Sequence, residues 1–334
     1  MSDATIQDVA QAAGVSAATV SRALNNGSVK QATRDRVRKA ADRLGYKPNA
    51  AARDLIAGKS GKGNIAVFVT DVGNFYFTDL FKGLFAQAQS LGYRLFVADL
   101  ELTNDVERTV GDVVSSCEGQ VVVSPRISDT LIRRLFPQRN TVLANRQIEG
   151  YTDVCIDDRS GIMQAVRHLA SLGHKRIAYI SGLSHSWSNR ARIDAVSRGC
   201  EEFGVECVAI GPFEPTYGGG VNAGDALMLE EGVTAVIAFN DLVASGVVSR
   251  LVERGLSIPE DISVMGIDDS VLSRASRPQM TTIDVRQERM GSQAVRLLAE
   301  LLDAEREGVE FEPVSHMIPE ILITRDSTAA ARIS

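Results

Sequence analysis

The 334-residue sequence predicts a small all-α head joined to an α/β body that contains two doubly wound parallel sheets. Three observations carry this. From Asn64 onward, short uninterrupted apolar runs alternate with helical patterns, twice over, as expected of parallel strands covered on both faces. Ahead of Asn64 there is no such run, only three short helical periods in succession. Charge divides the chain at the same place. Residues 1 to 62 hold 11 Lys and Arg against 5 Asp and Glu, net +6; the remainder holds 25 against 37, net -12, within a chain total of -6. A basic head on an acidic body suits a polyanion at the head alone.

In the head, Thr5 and Asp8 have capping-box spacing and open a helix with Ile6, Val9, Ala10 and Ala13 on one face, which Gly14 ends. Ser16 is a good N-cap for a second helix, with Val15 and Val20 at the positions of a hydrophobic staple. Val20 and Leu24 face inward there, which leaves Ala17, Ala18, Ser21, Arg22 and Asn25 outside. Ala17 and Ala18 permit close approach to base edges and contact with a thymine methyl, while Arg22 can donate twice to one guanine. A phosphate contact or a surface ion pair is the alternative for Arg22. The third helix runs from about Thr33 to Leu44, with Val37, Ala40, Ala41 and Leu44 inward, Arg34, Arg36, Arg38, Lys39 and Arg43 outward, and Gly45 as its stop. Three short helices with a basic rim define a helix-turn-helix head over residues 1–47.

Residues 48–62 follow as a hinge helix and linker. Pro48 breaks the chain, Asn49 caps, and Ala50 to Ala57 favour helix, in a stretch too short to be stable alone, since isolated helices below about 12–15 residues are marginal. Leu55 and Ile56 beside Arg53 and Lys59 have the make-up of a minor-groove wedge flanked by cations, with an ordinary linker helix as the alternative.

The stretches DVAQAAGVSAATVSRALNN, LGYKPNAAARDLIAGKS, HLASLGHKRIAYISG, GLSIPEDISVMGIDD and MTTIDV resemble the lactose/galactose repressor (LacI/GalR) family of bacterial transcription factors over essentially the whole chain. The resemblance implies a homodimer on palindromic double-stranded operator DNA, most simply a repressor, controlled by a small effector in a periplasmic-binding-protein-like body. It places Thr19, Ser21 and Arg22 on the recognition helix and makes Leu55 the hinge leucine, with Thr5, Ser16, Asn25, Asn49, Ala52 and Ile56 completing the DNA-facing set. At Ala17 and Ala18 some relatives carry larger base-reading side chains, which leaves the operator sequence open.

In the body, IAVFVT, RLFVADL, QVVVSP and TVLANR form the first strand series, and RIAYISG, CVAIGPF, TAVIAFN and ISVMGID the second. Helices lie through Phe77 to Leu91, Val106 to Cys117, Ile162 to Leu169 and Arg192 to Phe203. Two doubly wound sheets imply a cleft, with ligands beyond the carboxyl ends of strands. Asp71, Asn145, Arg146, Asn240, Asp241, Asp268 and Asp269 stand there, and Phe75, Tyr76 and Phe213 lie in adjoining loops where rings can sandwich a sugar or base. Helix capping is the alternative for the acidic and amide residues. The resemblance puts Phe75 and Tyr76 in the first cleft loop, makes Arg192 the cleft arginine and Phe213 a lid aromatic, and pairs Arg192 with Asp268 on the effector, with Asn240 a further polar position. Trp187 and His185 either set specificity or cover a loop. The resemblance also implies three crossings, near Asp157, Val285 and Met317, and so a body of residues 63–330 divided into 63–158 with 288–316 and 159–287 with 317–327. Effector closure of this hinge would rotate the first subdomains of a dimer and alter the spacing of its hinge helices.

Enzyme readings fail. Gly218, Gly220 and Ala223 fit a dinucleotide fingerprint, but PFEPTY precedes them where a strand is required. No nucleophile elbow is present, and His168, His174, His185 and His316 lack a partner set, so no cofactor or metal is expected. A transport-type sugar-binding protein would need a signal peptide and no head. With no signal peptide and no apolar run of membrane-spanning length, the cytoplasm is expected. Cys117, Cys155, Cys200 and Cys207 are expected as buried thiols. No heptad repeat follows Arg325, which favours a dimer over a coiled-coil tetramer.

Overall fold

The computed structural model describes residues 6–24, 29–44 and 63–332, in two compact units, Met1–Gly61 and Lys62–Ser334. In the first, α1 (Ile6–Ala13), α2 (Ala17–Leu24) and α3 (Gln31–Leu44) enclose Val9, Ala13, Val20, Ala23, Val37, Ala40 and Ala41. α1 closes in a Schellman motif: Gly14, at φ +62°, donates to Gln11 O and Val15 donates to Ala10 O. Ser16 Oγ then accepts from Thr19 N at 3.2 Å and opens α2. Val15 packs on the same core as Val20, as a staple requires. The burial pattern differs from expectation at three points. Ala23 is fully buried while Leu24 is only partly so, Ala17 packs partly against the core, and Leu44 is 38% exposed. α3 also begins at Gln31, ahead of Thr33.

The body's first sheet has the order β11-β5-β4-β3-β1-β2 and is parallel throughout. Its strands are β1 (Asn64–Val69), β2 (Arg94–Asp99), β3 (Gly119–Val123), β4 (Thr141–Ala144), β5 (Thr152–Asp157) and β11 (Ser315–Pro319). Residues of β1 alternate between two cores. Ile65, Val67 and Val69 pack with Leu80 and Leu84 of α4 (Tyr76–Leu91) and Val295 and Leu298 of α12 (Gln287–Glu307); Ala66 and Phe68 pack with Val110 of α5 (Val106–Val114) and Ile132 of α6 (Asp129–Leu135). Helices on both faces explain why these strands read as continuous apolar runs.

The second sheet has the order β12-β10-β9-β8-β6-β7, parallel except for the β10 to β12 pair. It comprises β6 (Arg176–Ile180), β7 (Glu206–Ile210), β8 (Ala235–Ala238), β9 (Ser263–Ile267), β10 (Thr281–Asp284) and β12 (Ile321–Ile323). Around it lie α7 (Asp158–Ser171), α8 (Trp187–Phe203), α9 (Tyr217–Leu227), α10 (Asp241–Glu253) and α11 (Val271–Ala275). The chain passes between sheets from β5 into α7, from β10 into α12, and from β11 into β12. The third passage is at Glu320 and not at Met317, because Met317 pairs with Cys155 inside β11. The four cysteines are free thiols; Cys155 and Cys200 are buried, but Cys117 and Cys207 only partly. Among the described residues, no helix is long and apolar enough to cross a membrane.

Candidate functional site

At the carboxyl ends of both sheets lies a cavity of about 80 Å³. The first sheet supplies Thr70 after β1, Ser124 after β3 and Asn145 after β4; the second supplies Phe239 and Asn240 after β8 and Asp268 after β9. Ser124 (φ 45°), Asn145 (φ 56°) and Asp268 (φ 123°) all hold the positive φ that side chains other than glycine rarely adopt. Strained backbone held by surrounding structure at three lining positions is the mark of a site and not of a plain loop. Asp268 is held by main-chain bonds, its N–H donating to Ile283 O and its carbonyl accepting from Gln287 Nε2.

Arg192, on α8, is 3% exposed. Its Nε donates to Asp158 Oδ1 at 2.7 Å and its Nη1 to Phe239 O at 2.6 Å, with the guanidinium carbon 5.1 Å from the Phe239 ring centroid. Burial penalises the cation, but Asp158 and Asp268 outweigh that and hold it charged. Burial also pushes Asp268 well above the carboxylate range, opposed by Arg192 and aided by Asp241 and Asp158. Asp241 is pushed up to about 6 by burial although it accepts from Ser270 N, Ser270 Oγ and Thr282 Oγ1, bonds that fix the loop carrying Asp268. Asn145 Nδ2 donates to Ser124 Oγ and, across to the second sheet's α8, to Ser188 Oγ at 3.0 Å. The cavity therefore offers binding chemistry: fixed donors and acceptors between aromatic faces.

Of the residues expected at a cleft, Tyr76, Asn145, Arg192, Asn240 and Asp268 line the cavity. Asp71, Phe75, Arg146 and Phe213 do not. Asp71 forms a turn, its Oδ1 accepting from Gly73 N. Phe75 precedes α4 and is 43% exposed. Arg146 turns away to pair with Asp129, and Phe213 packs on the second sheet's own core. Arg192 and Asp268, the two residues expected to clamp an effector, both line the cavity, and the carboxylate bonded directly to Arg192 is Asp158. Trp187 lines the cavity, whereas His185 does not. Ser124 was reachable by the strand-end rule; Ser186 and Ser188, on the entry to α8, carry no such signal.

On the head, Arg22 is exposed on α2, and Thr19 shares a 2.9 Å hydroxyl contact with Ser16. Thr5, Asn25, Asn49, Ala52, Leu55 and Ile56 lie outside the described residues, as do the side chains of Ala18 and Ser21. The fingerprint glycines Gly218 and Gly220 sit inside α9, and Gly220 lies against α10. A Cβ on Gly220 would stand 2.1 Å from Val243 O, and one on Gly246 of α10 2.2 Å from Tyr217 O, so Gly220 and Gly246 permit the two helices to touch, and the fingerprint lies within a helix and not in a phosphate loop.

A head of this kind followed by two such sheets around a cleft defines a ligand-responsive DNA-binding regulator. Residues 5–49 match the model of bacterial regulatory proteins, lacI family, and residues 166–328 that of a periplasmic binding protein-like domain. The chain is 31% identical over 324 residues to catabolite control protein A of Priestia megaterium, covering 94% of this chain and 97% of that one. It is 33% identical over 342 residues to the transcriptional repressor CytR of Escherichia coli, covering 98% and 97%. Among solved structures it is similar to the Lac repressor dimer bound to operator and the anti-inducer ONPF, with TM-score 0.78, 26% identity and coverage of 98% and 100%. It is likewise similar to a LacI family regulator from Enterococcus faecium with bound ribose, with TM-score 0.71, 25% identity and coverage of 80% and 100%. The chain belongs to the lacI family of bacterial regulatory proteins and is a DNA-binding transcriptional regulator, not an enzyme.

Proposed function

We propose that this regulator is a cytoplasmic repressor whose dimer binds a palindromic operator through α2 and is switched by a sugar, sugar derivative or nucleoside in the cavity between its sheets. The observation that carries the reading is the pairing of an exposed Arg22 on the second helix of a helix-turn-helix with a cavity lined from the strand ends of two sheets. Residues 1–47 act as the reader, 48–62 as the hinge segment with Leu55 as its wedge, and 63–330 as the sensor. Tyr76, Asn145, Arg192, Asn240 and Asp268 hold the effector. Effector that binds the closed body better than the open one shifts the dimer, at a coupling of about 1–3 kcal/mol.

Gel shifts and calorimetry on matched variants test this. Arg22→Ala is expected to lose about 1–3 kcal/mol of operator discrimination with dimerisation and effector affinity intact. Arg192→Ala is expected to do the reverse, keeping operator binding and losing the effector response. Unchanged operator selectivity in the first, or a normal effector titration in the second, refutes the corresponding assignment. Operator affinity should also fall steeply with salt, because the basic head displaces counterions from phosphates.

A further inference from the structure

Two of the four cysteines meet away from the cavity, towards the far end of a helix that lines it. α8 buries Ser188, Arg192, Val196 and Cys200 at intervals of four, so one stripe of the helix runs from the cavity down to a sulfur. The helix ends at Gly204 (φ +65°), and Val205 N–H donates back to Cys200 O at 2.9 Å. This tight turn returns the chain at once as β7, in register with β6 and with Cys207 opposite Ile177. Alternation along β7 sends Val208 and Ile210 to the sheet's other face. Cys207 is left on the face that α8 covers, packed on the core that holds Cys200, Val196 and Val205. The two sulfurs are in hydrogen-bond contact, the Cys200 thiol donating to Cys207.

The two thiols are not equivalent. Cys200 is 3% exposed, and its donated bond to Cys207, together with burial, keeps it protonated. Cys207 is only partly buried. The bond from Cys200, opposed by burial and joined by one from the Tyr179 main chain, pulls the Cys207 pKa below the ordinary thiol value. The other two cysteines are held the opposite way: burial raises the pKa of Cys117, and burial with the Asp153 carboxylate beside it raises that of Cys155. A peroxide reaching the body thus meets one sulfur that favours the thiolate and has a second thiol in contact. The Cys207 thiolate attacks a peroxide oxygen, the O–O bond breaks, and water leaves after protonation, giving a sulfenic acid. The Cys200 sulfur then attacks the Cys207 sulfur, the S–O bond breaks, and the departing hydroxide takes the Cys200 proton as a second water. Two thiols have lost two hydrogens and one hydrogen peroxide has become two waters.

We propose that Cys200 and Cys207 are a peroxide-responsive dithiol, Cys207 the attacking sulfur and Cys200 the resolving one, which closes to a disulfide that ties the end of α8 to β7. In a reducing compartment the bond is transient, formed under oxidant and reversed by thiols. Full-length protein is treated with graded hydrogen peroxide, its remaining thiols are blocked with iodoacetamide, and it is digested with a glutamate-specific protease. Cleavage at Glu201, Glu202 and Glu206 leaves the two cysteines on separate peptides that only the disulfide can join. The expected product is that joined pair, with a mass loss of about 2 Da from the intact chain, reversed by dithiothreitol. Cys207 is expected to react about tenfold faster than Cys117. Cys200→Ser should leave a Cys207 sulfenic acid that dimedone traps, and Cys207→Ser should leave Cys200 unreacted, each in a variant of unaltered melting profile. The wild-type digest decides the pairing even if a variant fails to fold. Oxidation of Cys117 ahead of Cys207, a disulfide between two chains in place of the joined pair, or sulfinic acid at Cys207 with Cys200 still free overturns the proposal.

Discussion

The Arg192–Asp158 pair is the most consequential side-chain contact in the body, because both partners are almost wholly buried, at 3% and 4% exposure. Removing one ion of such a pair strands the other, which costs about 3–5 kcal/mol, whereas removing both costs much less. Asp158→Asn is therefore expected to lose about that much in urea unfolding of the body, and addition of Arg192→Met to recover most of it. His174 provides a second residue-level test. It is buried, its Nε2–H donates to Ala329 O and its Nδ1 contacts the Thr234 hydroxyl at 2.8 Å. Desolvation pushes its pKa below 6.5, against the Ala329 carbonyl. The unfolded chain then binds the proton that the folded chain refuses, so stability falls as pH drops below 6.5. Melting curves from pH 7 to pH 5 should fall more steeply for the wild type than for His174→Gln, the buried carboxylates contributing equally to both. The strand-end rule finds Asn145 yet misplaces its neighbour Arg146, since one step along the chain turns the side chain from the cavity to Asp129.

Among the elements, the strands that read plainly from sequence are those with helices on both faces, such as β1, β3 and β8, where burial is continuous. β5 and β11 are not legible in the same way. Thr152, Asp153, Ser315 and His316 give them a mixed composition, and β11 is placed by pairing with β5, a partner about 160 positions away. The head reads well because its signals are local: Gly14, Ser16 and the staple of Val15 and Val20 each act within a turn or two. The α9 and α10 contact is legible only as an unexplained run of glycines, since its meaning lies in the neighbouring helix. Gly246→Ala is expected to force these helices apart and cost about 1–3 kcal/mol in chemical denaturation, because the new methyl would meet main chain that cannot rotate away.

For the whole molecule, a division at Gly61 and Lys62 and opposite net charges in the two parts predict separable activities. Brief trypsin treatment, with targets at Arg53, Lys59 and Lys62, is expected to yield a small DNA-binding fragment and a large fragment that keeps its effector affinity; loss of effector binding on cleavage would argue against an autonomous sensor. The topology of the first sheet has a further implication for how the chain is made. β5 is an interior strand only once β11 arrives, and α12, which covers β3, β4 and β5, lies almost as far downstream. On a translating ribosome, five strands of that sheet emerge well before their last partner, a delay of roughly ten to thirty seconds at about 5–20 residues per second. Throughout it the β5 edge and an apolar sheet face stand open. All of the second sheet except β12 must be synthesised before the first can close, so a ribosome stalled between residues 158 and 315 presents a sticky half-sheet, a natural client for chaperones.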